Sequence, residues 1–177
     1  MSNLITIDRI LGNINTDVNL KSTYDRLATS RKNESILVSR MESQRTRMRK
    51  ISNKGTDIAL TLPLGGRLRQ GDVVLLQDDR IIVVEMQPEN VLQVDINKTN
   101  LDKDQDHLPE VLIKIGHTIG NLHRPVMVQG TRIYFPIQAE SEVEMFNKLF
   151  HQFHHYLDIK SAKIVFEPNE SMDAHEH

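Results

Sequence analysis

The chemistry this chain can offer is carried by nitrogen and oxygen. It has eight histidines and no cysteine, which removes disulfides, thiolate zinc sites and a cysteine nucleophile. The histidines are segregated. His107, His117, His123, His151, His154, His155, His175 and His177 all fall in the second half of the 177 residues. Up to Asn90 the chain has 14 Lys+Arg against 11 Asp+Glu, and the remainder has 8 against 13. Imidazoles gathered in the more acidic half are the pattern of a domain that handles cations.

Three groupings have metal-ligand spacing. In "IGHTIGNLHRPV" an apolar helical run stops at Gly120-Asn121, both suited to the left-handed position after a helix, and Pro125 prevents its resumption. His123 is thereby presented just past the helix end, outside the core pattern. The terminal "HEH" sets His175 and His177 two residues apart on a polar segment, where they can act as paired ligands. His151 and His155 stand four residues apart with His154 between them, and i, i+4 imidazoles on a helix can share an ion. The plainer reading of that trio is a solvated flank, because Phe and Leu fill the apolar face of the same helix. His117 lies within the first helix and reads as solvent-facing.

Other motifs exclude more than they support. "GGRLRQGD" has the glycine spacing of a phosphate loop, but Asp72 stands where the lysine should be and no helix follows. "RTRMRK" (Arg45, Arg47, Arg49, Lys50) is a basic run that reads as a solvated face, and the net charge of −2 argues against a dedicated nucleic-acid protein. There is no nucleophile elbow and no HExxH. No apolar run is long enough for a membrane span, and the start lacks a signal-peptide pattern. The expected location is the cytoplasm.

The elements that must position these groups follow from periodicity. "LITIDRIL", "TDIALTLPL", "VVLLQDD" and "RIIVVEMQ" are short β-branched runs separated by turn residues. The polar Asp17–Lys50 stretch supplies no clear pattern beyond a possible short helix. The second half reads strand ("NVLQVDI"), helix (Val111, Leu112, Ile115, Ile119, Leu122 at helical spacing), two strands around Gln129-Gly130, helix and strand ("AKIVFEP"). The second helix is expected to run to Leu157 behind a Ser141/Glu144 capping box. The expected class is α+β: a small all-β domain over 1–88, a ferredoxin-like βαββαβ domain over 89–167, and a flexible histidine-bearing tail over 168–177.

These segments resemble a family. "GTDIALTLPLGGRLRQGDVVLLQDDRIIVVEMQPENVLQV", then "GHTIGNLHRPV" and a histidine-bearing tail, are similar to UreE-type urease accessory proteins, the nickel metallochaperones of urease maturation. The likeness runs from about Arg49 to the C-terminus, and its specific part is "GNLH" before Pro125. The family's usual form is Gly-Asn-Arg-His, whose histidine binds nickel at a dimer interface, so the resemblance carries that role to His123 and a supplementary ligand role to His175 and His177. Leu122 departs from the family arginine. A His-x-His pair that some members carry in the following strand is absent from "RIYFPI", and the Asp17–Lys50 region is longer than usual.

The resemblance implies a peptide-binding-type N-terminal β domain and a metal-binding domain that forms a homodimer. It also implies Ni²⁺ as cargo, and as partners the urease maturation GTPase and, through it, apo-urease with its other accessory proteins. Two His123 imidazoles across a two-fold axis, helped by the tail, would hold nickel loosely enough for transfer, with Zn²⁺ and Cu²⁺ competing. This is a carrier and no enzyme, with no nucleic-acid or membrane partner. Two other classes stay open: a metal-dependent hydrolase pairing His123 with Asp106 or Glu110, and a peptide- or RNA-binding adaptor acting through Arg45, Arg47 and Arg49.

Overall fold

The computed structural model describes residues 4–97, 99–100 and 108–168. The chain divides into two compact units, Met1–Gln87 and Pro88–His177. The tail ligands His175 and His177, like His107 and Asp106, lie outside the described residues.

The first unit contains nine strands and helices in the order β1 (Ile5–Ile7), β2 (Gly12–Asn13), α1 (Val18–Thr29), β3 (Asn33–Val38), α2 (Arg40–Ser43), β4 (Arg47–Ile51), β5 (Asp57–Thr61), β6 (Asp72–Gln77) and β7 (Arg80–Met86). They make a three-stranded sheet, β1-β5-β4, and a four-stranded sheet, β2-β6-β7-β3. Fully buried Ile58, Leu60, Ile81, Ile82 and Val84 alternate or run continuously along these strands, as strands covered on one or both faces require. The segment without a clear sequence pattern, Asp17–Lys50, supplies α1, β3, α2 and most of β4. Asp17 caps α1 by accepting from the Asn19 and Leu20 N–H groups, and Leu27 packs into Val73, Ile81 and Val83.

The Gly-rich loop is a turn that leads into β6. Gly71 has φ 83°, and a Cβ there would lie 2.4 Å from the Asn15 side chain, so only glycine fits. Asp72 accepts from Asn13 Nδ2 at 2.9 Å and from the Arg69 N–H at 2.7 Å, so it ties down this turn. Half of the basic run is spent inside the unit. Arg49 grips Asp57 with two bonds of 2.8 and 2.5 Å, and Lys50 bonds both Glu42 oxygens at 2.7 Å.

The second unit runs β8 (Glu89–Ile96), α3 (Leu108–Gly120), β9 (Met127–Gln129), β10 (Arg132–Pro136), α4 (Ser141–Leu149), a 3₁₀ turn (His151–Phe153) and β11 (Leu157–Ile164). Its sheet order is β11-β8-β10-β9, with every neighbouring pair antiparallel. This is the fourth-first-third-second arrangement of a ferredoxin-like βαββαβ sandwich. The helices bury Val111, Ile115, Ile119 and Phe146 against Leu92, Val94 and Phe135 of the sheet. Phe135 and Phe146 meet edge-to-face at 5.0 Å.

Two details of α4 differ from the sequence reading. The Ser141/Glu144 capping box does not form. Ser141 lies inside the helix, and Glu142 instead reaches back to accept from the Gln138 N–H at 2.7 Å and the Ala139 N–H at 3.3 Å. The helix also stops at Leu149 rather than reaching Leu157. A 3₁₀ turn takes over, so that Phe153 enters the core and Leu157 already begins β11. The last strand is correspondingly earlier than "AKIVFEP".

Candidate metal centre

His123 owes its place to the way α3 ends. The stripe Val111, Ile115, Ile119 holds the helix on the sheet until Gly120. Beyond it the backbone bonds tighten from four-residue to three-residue spacing: Asn121 N–H donates to the His117 carbonyl at 3.0 Å, Leu122 to Ile119 at 3.1 Å, His123 to Gly120 at 3.1 Å. Leu122 turns its side chain into the edge of the core. A shallow apolar site suits leucine better than the arginine expected there.

The residue in the left-handed conformation is His123 itself, at φ 49°, and not Gly120. Histidine tolerates this region better than most residues with a Cβ, at a cost of about 1–2 kcal/mol. The effect is a change of chain direction at His123. The side chain is exposed.

The segment after His123 is anchored. Arg124 donates through Nη1 to the Pro136 carbonyl at 2.9 Å and pairs with Glu142. Both side chains are largely withdrawn from solvent, 25% and 15% exposed. Burial raises the Glu142 carboxyl, but the Gln138 N–H and the Arg124 guanidinium outweigh it and hold the group below the usual carboxylate range. Pro125 restricts Arg124 to extended backbone. His123 therefore stands between a core-packed Leu122 and an ion-paired Arg124. Sequence reasoning missed this clamp, because Arg124 and Glu142 are 18 residues apart and no periodicity links them.

The outer face of α3 is unusually apolar. Leu112 is 44% and Ile113 69% exposed. Gly116 and Gly120 follow on the same side, and a Cβ added at either would meet nothing within 4 Å. Leu112, expected on the buried stripe from its spacing, lies off it beside Ile113 in the structure, so one helix carries two apolar faces. His117 is exposed next to this face, its Nε2 accepting from Asn121 Nδ2 at 3.0 Å.

Of the sequence-predicted ligands, His123 is thus solvent-facing at a fixed position, and His175 and His177 fall outside the described residues. His151, His154 and His155 are all exposed on the turn after α4. Among the described residues no three histidine, aspartate or glutamate side chains converge on a point that could hold an ion. No helix among the described residues is long and apolar enough to cross a membrane.

Comparison with known proteins bears on the same features. Residues 7–87 match the family of the UreE urease accessory protein, N-terminal domain, and this match ends where the first structural unit ends. It spans the whole Asp17–Lys50 segment, further toward the N-terminus than the likeness from Arg49 onward. The chain is 25% identical over 194 residues to the urease accessory protein UreE of Yersinia mollaretii, covering 98% of this chain and 80% of that protein. The Yersinia frederiksenii protein of the same name is 26% identical over 195 residues, covering 98% and 77%. That of Natronomonas pharaonis is 26% identical over 140 residues, covering 77% and 61%. The first unit therefore matches the UreE N-terminal domain, and over nearly its whole length the chain is similar to proteins named urease accessory protein UreE.

Proposed function

We propose that this protein is a urease maturation chaperone that carries Ni²⁺ as cargo, in the cytoplasm, and is not an enzyme. The observation that supports this most is the presentation of His123: an exposed imidazole at a strained, anchored helix end, in a chain of the UreE type. One imidazole is too few for Ni²⁺, which takes nitrogen ligands well and prefers several. The missing ligands come from a second copy of the chain. The exposed Leu112 and Ile113, with Gly116 and Gly120 permitting close backbone approach, make the outer face of α3 a self-complementary helix surface that leads to His123. A two-fold axis through that face brings two His123 side chains together, and His175 and His177 of the tails complete the shell.

Such a shell is incomplete, which suits a carrier. It holds the ion through neutral donors and releases it to a receiver with a fuller set. Zn²⁺ and Cu²⁺ compete, since imidazole does not discriminate against them. The receivers proposed are the urease maturation GTPase and, through it, the apo-urease accessory complex. The hydrolase alternative fares worse on geometry. Glu110 is paired with Lys114 near the start of α3, about 15 Å along the axis from the helix end that presents His123.

The test is a calorimetric Ni²⁺ titration of the intact chain beside His123→Ala. The proposal expects the tightest phase to vanish in the variant. Identical titrations of the two proteins would overturn it.

A further inference from the structure

By sequence spacing His151 and His155 are i, i+4 partners on an expected α-helix, with a solvated flank as the plainer reading of the trio. The structure changes which residues are partners. His151–Phe153 form a 3₁₀ turn, and at three residues per turn the side chains at i and i+3 eclipse. His151 and His154 thus lie on one side of the turn, with ring centroids 5.5 Å apart and ring planes tilted by 34°. Two imidazoles that bind one ion through nitrogens at about 2.1 Å have centroids near this separation.

The tautomer is also set. His154 Nδ1 lies 2.8 Å from the His151 carbonyl oxygen. A carbonyl can only accept, so Nδ1 carries the proton and, in the neutral ring, Nε2 keeps its lone pair. A ring N–H donated to a backbone carbonyl is the usual outer-shell arrangement of a metal-ligating histidine, because it fixes the ring and raises the basicity of the other nitrogen. The His155 ring lies tilted at 42° against His154, centroids 3.8 Å apart, and its own carbonyl accepts from Asn100 Nδ2 at 2.6 Å. Among the described residues no group of three such side chains could hold an ion, so His155 is a neighbour of the pair and not a third ligand. All three rings are exposed, so an ion can reach them with its water.

We infer that His151 and His154 form a second divalent-metal site, separate from His123, that binds Ni²⁺, Zn²⁺ or Cu²⁺ through two imidazoles with solvent filling the remaining positions. With two protein ligands it is weaker than a shared His123 site, and each chain has its own.

The experiment uses the full chain carrying His123→Ala, His175→Ala and His177→Ala, titrated calorimetrically with Ni²⁺. The expected result is a residual event at one ion per chain. Adding His151→Ala or His154→Ala should weaken it by about tenfold or more, whereas adding His155→Ala should leave it close to unchanged. In the same background, paramagnetic Ni²⁺ should broaden the His151 and His154 ring-proton NMR signals first. No residual binding, binding that survives His151→Ala/His154→Ala, or equal loss with His155→Ala would overturn the inference. The carrier reading is tested at His123 in the otherwise intact chain, so either can fail without the other.

Discussion

At the scale of single residues, the backbone of a proposed ligand matters as much as its side chain. His123 is held at φ 49° between Leu122, which packs on the core, and Arg124, which pairs with Glu142. That strain persists because both neighbours are over-determined. The first unit has an ion pair whose effect on stability can be measured. The Lys50 ammonium and the Ser39 N–H hold the Glu42 carboxyl down from 4.5 to about 2. A lowered carboxylate stabilises the fold above its unfolded value, and that contribution is lost as pH falls from about 4.5 toward 2. Lys50→Met should remove on the order of 1–2 kcal/mol at neutral pH and flatten this acid-side loss. Urea unfolding of both proteins at pH values on either side of that window, followed by NMR signals from the first unit, checks it. Equal slopes in the two proteins would show that Glu42 gains nothing from Lys50.

At the scale of elements, α3 serves two surfaces. Val111, Ile115 and Ile119 recur every four residues, and that stripe was legible in the sequence because burial on a sheet demands it. The βαββαβ order was legible for the same reason. The end of α4 was not. Phe150, Phe153 and Leu157 are apolar whether the chain continues as α-helix or tightens to 3₁₀ and enters a strand, and pairing of Leu157 with Ile96 in the sheet decides it. The choice of His123 over Gly120 for the left-handed position likewise depends on where Leu122 finds a partner, which is a tertiary matter. On the outer face, Gly116 tests the proposed dimer. A side chain there meets nothing within the single chain, and replacing a mid-helix glycine stabilises a helix by up to about 1 kcal/mol. Gly116→Glu should therefore keep the fold and its melting temperature while weakening self-association about tenfold or more, by bulk and by like charge across the axis. Sedimentation velocity reads this directly. An unchanged dimer would move the interface elsewhere.

At the scale of the whole molecule, the chain folds as two compact units. Each has its own buried core. The first matches the UreE N-terminal domain, and part of its basic run is neutralised internally by Asp57 and Glu42. The second contains every histidine of the chain and the ferredoxin-like sheet that fixes His123. The sequence points to His123 through its motif; among the described residues no group of three potential ligands converges on an ion site, and the proposal assigns the remaining ligands to a second copy and the tails. The central claim is that the ion is shared. Native mass spectrometry of the full chain with less Ni²⁺ than protein tests it most directly. The account predicts that nickel travels with the dimer mass at one ion per two chains, and that His123→Ala leaves the dimer in place with the tight ion gone. Nickel found on single chains, with the same loading in His123→Ala, would contradict it.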